Sequence, residues 1–86
     1  MRFTALARFP GRASRAVDGV CADDPWVAAL WAFEQLARAE RQRCSAVAVM
    51  AESGAETAYS ARAGRLVRCS AVERPAPAAA AIGRAA

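Results

Sequence analysis

Residues 24–52, DPWVAALWAFEQLARAERQRCSAVAVMAE, decide the fold, because the spacing of their apolar side chains changes partway along. From Asp24 to Arg43 the spacing is helical. Trp26, Leu30, Phe33 and Ala37 fall within about 60° of one another at about 100° per residue, and Ala29 and Leu36 widen that stripe. Asp23 or Asp24 can cap the free amides, and Pro25 suits the first helical position. Arg38, Arg41 and Arg43 complement the negative end of the helix dipole. These features predict one helix over 24–43. From Cys44 onward the period drops to two, the signature of a strand.

Three short strands are predicted downstream, over 44–52, 56–62 and 65–72, with Ser53-Gly54 and Ala63-Gly64 as the turns between them. If both turns hold two residues, Val49 opposes Ala58 and Val47 opposes Ser60, and these continue across to Cys69 and Val67. That small apolar face, with Ala51 and Ala71, suits packing against the helix. The opposite face then carries Ala46, Ala48, Met50, Thr57, Tyr59, Ala61, Leu66, Arg68, Ser70 and Val72. Such a face is mixed in character, where a sheet covered on one side should be polar on the other.

Upstream, residues 2–9 alternate as a strand, with Phe3, Ala5, Ala7 and Phe9 on one side and Arg2, Thr4, Leu6 and Arg8 on the other. Pro10-Gly11 ends that element. Residues 12–22 are ambiguous: Gly19 and the β-branched Val17 and Val20 weaken a helical turn. The expected fold is α+β, one amphipathic helix on a small antiparallel three- or four-stranded sheet in the order β-α-β-β-β. The expected organisation is a basic N-terminal strand and linker over 1–22, a helix plus β-meander core over 23–74, and a disordered Pro/Ala-rich tail over 75–86.

Composition narrows the chemistry. Alanine supplies 25 of the 86 residues, so the apolar content buries less area than its 56% suggests, and one thin core is the expectation. Histidine and lysine are both absent. That excludes imidazole general bases and zinc sites with histidine, Schiff-base nucleophiles and the phosphate-loop lysine. Cys21, Cys44 and Cys69 are odd in number and share no short Cys-x-x-Cys spacing, which argues against a disulfide frame or a zinc site. Glu52 and Glu56 flank one turn, where two solvated carboxylates are ordinary. Neither an enzyme nor a cofactor or metal is expected.

The net charge is +4, and Arg2, Arg8, Arg12 and Arg15 against Asp18 leave residues 1–22 at +3. The expected function is that of a small protein-interaction module: a homodimer, an inhibitor or an accessory subunit of a larger assembly. Trp31 carries that expectation, because it projects about 140° from Trp26 and lies off the core stripe. Gln35, Arg38 and Gln42 would rim it, and Met50, Tyr59 and Leu66 would supply a second surface on the outer sheet face. The alternative is a nucleic-acid-binding regulator. It would use the arginine-bearing N-terminal strand and its continuation (Arg2, Thr4, Arg8, Arg12 and Arg15) or the Tyr59/Arg68 sheet face. No stretch reaches the length of a transmembrane helix, and a cytoplasmic location is expected. If residues 1–17, basic and free of acids, are a targeting segment, the location would be organellar.

Overall fold

A computed structural model of the chain describes residues 1–76. The order is β1 (Arg2–Arg8), β2 (Arg15–Cys21), α1 (Pro25–Glu34), α2 (Arg38–Arg43), β3 (Ala46–Ala51), β4 (Glu56–Arg62), β5 (Arg65–Leu66), a 3-10 turn (Arg68–Ser70) and β6 (Val72–Arg74). All six strands join one antiparallel sheet in the order β2-β1-β3-β4-β5, with β6 also pairing β4. The α+β class is as expected, but the sheet is larger. Apart from Pro75 and Ala76, the tail expected over 75–86 lies outside the described residues.

Residues 15–21, read from sequence within a linker, form a strand beside β1. Val20 is buried opposite Phe3, and Val17 is opposite Ala5. The β-branched valines favour extended backbone, and β1 offers a ladder to pair with. One extra residue at Asp18-Gly19 bulges this edge between those two pairs. The alternation read along β1 holds, with Phe3, Ala5 and Ala7 buried beneath the helical layer.

The helix expected over 24–43 is two helices. Asp24 caps the first as its side chain accepts from the Val27 amide at 3.1 Å, and Pro25 follows it. No glycine or proline ends α1. Leu36 turns into the core at 3% exposed, and Ala37 becomes extended. The Arg41 guanidinium donates to the Leu36 carbonyl at 2.6 Å and reaches the Glu34 carbonyl at 3.4 Å, satisfying acceptors that the break exposes. Tertiary packing here outweighs local helix propensity. Ala28, Ala29 and Ala32 form the sheet-facing side of α1 with Phe33, so a helix with little bulk sits close to β1 and β3. Ala37, placed on the core stripe by periodicity, is exposed.

The register of β4 differs from the expected one by a residue. Val49 pairs with Thr57 and Val47 with Tyr59. The loop holds three residues, Glu52, Ser53 and Gly54, because the Ala51 amide donates to the Ala55 carbonyl at 2.8 Å and the Gly54 amide returns to Ala51. Gly54 has φ +94°, the positive φ expected for glycine at the end of a three-residue hairpin loop. A one-residue change exchanges the two faces of a strand. Thr57, Tyr59 and Ala61 therefore face the helices, and Ala58 and Ser60 face away.

The strand expected over 65–72 is interrupted. The turn at Ala63-Gly64 does hold two residues, and Leu66 stands opposite Ala61. The 3-10 turn then takes up three residues, and β6 rejoins the same edge with Val72 opposite Ala58. Across the gap the Ser60 amide donates to Ser70 Oγ at 2.7 Å, so a side chain stands in for the missing ladder partner. Cys69, expected on the buried face, is exposed on this turn.

Candidate interaction site

Both helices of the described residues lie on one side of the sheet, and the register defines what is left on the other. One row crosses the open face without a break, with Ala48 at its centre only 4% exposed and Leu6 and Ala58 half-buried: Ala16 of β2 pairs with Leu6 of β1, Leu6 with Ala48 of β3, Ala48 with Ala58 of β4, and Ala58 with Val72 of β6. Five strands at about 4.8 Å spacing make this apolar strip about 19 Å long. Met50 stands beside it at 45% exposed, and Val72 at its end is 68% exposed. The neighbouring rows are polar. Thr4, Met50, Glu56 and Arg74 line one side, and Arg8, Ala46 and Ser60 the other.

A second apolar surface lies on α1. Trp31 is 50% exposed, and Val27, one turn before it, is exposed too. The polar rim expected around it is not held on one helix, since the chain breaks between Gln35 and Arg38. Gln35 ends α1, whereas Arg38 and Gln42 belong to α2, where Gln42 lies against the Gly64 turn.

Tyr59 and Leu66 must be removed from the outer face. Tyr59 is 5% exposed on the helix side, with its ring edge-on to Trp26 at 5.2 Å between centroids. Leu66 is half-buried against the same core. The cause is the three-residue loop, which turned β4 over. Burial pushes the Tyr59 phenol above its ordinary range, and the nearby Asp24 carboxylate adds to that shift. Arg68 stacks over Trp26 at 5.6 Å from the ring centroid and closes this aromatic cluster. Of the sequence-derived protein-contact set, Met50 lies on the open sheet face and Trp31 on the opposite layer.

The residues of the nucleic-acid alternative do not converge. Arg2, Thr4 and Arg8 share the open side of β1, with Arg2 and Arg8 at its opposite ends. Arg12 follows the hairpin turn. Arg15 is on the helix side, where it donates to both Glu40 carboxylate oxygens, at 2.7 and 2.5 Å. Arg68 is engaged by Trp26. Arg12, Arg15, Glu40 and Arg43 do surround a cleft of about 250 Å³ with Phe9. The Ala37 amide, together with the Arg15 guanidinium, holds the Glu40 carboxyl below its ordinary range.

Little here resembles a reaction centre. Cys44 is buried, and that burial pushes its thiol up, away from the reactive thiolate. Cys21 and Cys69 are exposed, and all three cysteines are free. Among the described residues no three metal-ligating side chains cluster, and no helix is long and apolar enough to cross a membrane. A cleft of about 550 Å³ between Phe3, Pro25, Val49 and the β3–β4 loop carries Asp23, Glu56, Glu73 and Arg74 at its edge.

Ala58, expected on the face toward the helix, lies on the open face, and Arg62 and Arg65 stand opposite each other on that same side. The alternation within 56–62 does carry the signal, since Glu56, Ser60 and Arg62 share one side of that strand. The described residues form a two-layer α+β protein in which both helices cover the same sheet face. No protein-family model, curated protein or solved structure matches the chain.

Proposed function

We propose that this protein works by binding another protein chain rather than by catalysis, and that the open sheet face is its main contact surface. The observation that carries this reading is the unbroken cross-strand row Ala16–Leu6–Ala48–Ala58–Val72, with no helix of the described residues above it. Small and branched apolar side chains in an ordered strip between polar rows have the character of an interface core with its rim. The row is flat and shallow, which suits a macromolecule better than a small molecule. The exposed Trp31 and Val27 of α1 offer a secondary contact, of the kind that contributes hot-spot energy when covered.

Two observations support binding over chemistry. Histidine and lysine are absent from the chain, and the one buried thiol is shifted away from ionisation. The test is a single charge placed on the strip. Ala58→Arg should keep the circular dichroism and melting behaviour of the parent and lose at least about tenfold of its association, whether with co-purifying proteins or with itself. Ala39→Arg, on exposed α2, should lose none. Equal association by Ala58→Arg and its parent would reject the sheet face.

A further inference from the structure

We infer that the chain docking on the open sheet face is acidic: an amphipathic segment whose apolar stripe lies along the Leu6–Ala48–Ala58 row and whose flanking carboxylates meet the arginines on both sides. This rests on reading that face as a protein interface. It comes from an inventory of the charges that strand alternation puts there. Arg2 and Arg8 of β1, Arg62 of β4, Arg65 of β5 and Arg74 of β6 lie on the open side, against Glu56 and Asp18, which stands in the β2 bulge opposite Thr4. Arg8 stands in the row beside the strip on one side, with Arg62 and Arg65 one row further out, and Arg74 stands in the row beside it on the other, with Arg2 one row further out.

Most of these arginines have no carboxylate. Arg74 approaches Glu56 at 3.8 Å, and the other ion pair among the described residues, Arg15–Glu40, is on the helix side. Arg62 and Arg65 are directly opposite each other in the ladder. Like charges at such positions destabilise a sheet, and a carboxylate laid between them would relieve the repulsion and accept from both guanidinium groups.

A second copy stacked face to face does not supply that carboxylate, since it would bring the same five arginines against Glu56 and Asp18. Residues 77–86 contain Arg84 and no acidic side chain. A nucleic acid would match the charge but not the strip. Phe3, Trp26, Phe33 and Tyr59 all lie in the core on the helix side, which leaves the open face without a ring for base stacking and its apolar row without a partner. A helix of about 13 residues spans about 19 Å, the length of the row.

The experiment titrates the whole chain with labelled synthetic helical peptides of about 14 residues. One is built of leucine and glutamate, one of leucine and lysine, and a single-stranded DNA oligonucleotide serves as the polyanion. The leucine/glutamate peptide should bind saturably and move the amide resonances of Leu6, Ala48 and Ala58. Arg62→Glu with Arg65→Glu should weaken it about tenfold or more, Arg8→Gln by a smaller factor, and Ala39→Ser on the exposed side of α2 not at all. Equal or tighter binding of the leucine/lysine peptide would overturn the acidic partner while leaving the face an interface. Binding of neither peptide would overturn both readings. DNA binding tighter than the leucine/glutamate peptide would replace the protein partner with a phosphate backbone.

Discussion

At the scale of single residues, the least expected contact is Arg15 with Glu40, which ties the edge strand β2 to the short helix α2. Glu40 also accepts the Ala37 amide at 3.0 Å, so one carboxylate closes the start of α2 and holds it to the sheet. Its lowered pKa gives the pH dependence a definite sign. A carboxyl more acidic in the folded chain than in the unfolded chain stabilises the fold above its ordinary titration range, about pH 4–5. That contribution disappears as pH falls through the lower, folded value. Glu40→Gln should therefore melt below the parent at pH 7, and the two melts should converge in acid. A gap that stays constant from neutral pH to about pH 3 would show that the charge of Glu40 is irrelevant to stability.

At the scale of elements, the three-residue loop between β3 and β4 decides which half of β4 is buried. Gly54 has a φ of +94°, a conformation that costs a side-chain-bearing residue roughly 1–3 kcal/mol. Gly54→Ala should lower the melting temperature by at least about 4 °C, whereas Glu52→Ala in the same loop should leave it within about 1 °C. Equal effects in thermal melts would mean that the loop geometry is not what holds the register. Much of the architecture was legible beforehand: the alternation of 2–8, the Asp24-Pro25 helix start, and the change of period after Arg43. The helix break was not, because nothing local marks Leu36. Only the core it enters and the Arg41 side chain above it explain the turn. The faces of 56–62 were misassigned because a two-residue turn was assumed where Glu52-Ser53-Gly54 forms three. Trp31 was recognised as lying off the core from spacing alone. Tyr59 and Leu66 were placed outside, and the strip through Ala58 went unseen, for the same one-residue reason. The edge strand β2 needs β1 as its template, and its own residues alternate poorly.

At the scale of the molecule, charge is distributed unequally between the two sides. The helix layer balances its arginines with Asp23, Asp24, Glu34 and Glu40, whereas the open side holds five arginines against Glu56 and Asp18. Arg62→Gln should therefore melt above the parent by about 1–4 °C at about 0.02 M ionic strength, since an opposed like-charge pair costs roughly 0.2–1 kcal/mol. The gap should close at about 0.5 M, where charges are screened within a few ångströms. A gap that persisted at high salt, or a parent more stable than Arg62→Gln at low salt, would show that these arginines do not repel.

The 3-10 turn between β5 and β6 has a further consequence for the solution behaviour of the chain. A long, flat outer strand invites the same strand of another molecule to continue the ladder, the route by which sheets grow into fibrils. Here that outer position is split into pieces of two and three residues around Arg68–Ser70, and Ser70 already occupies the amide of Ser60. Lateral growth past this edge is discouraged by geometry and not only by charge. At this edge, the chain can present a broad β-surface to a docking partner without offering a long strand for polymer growth.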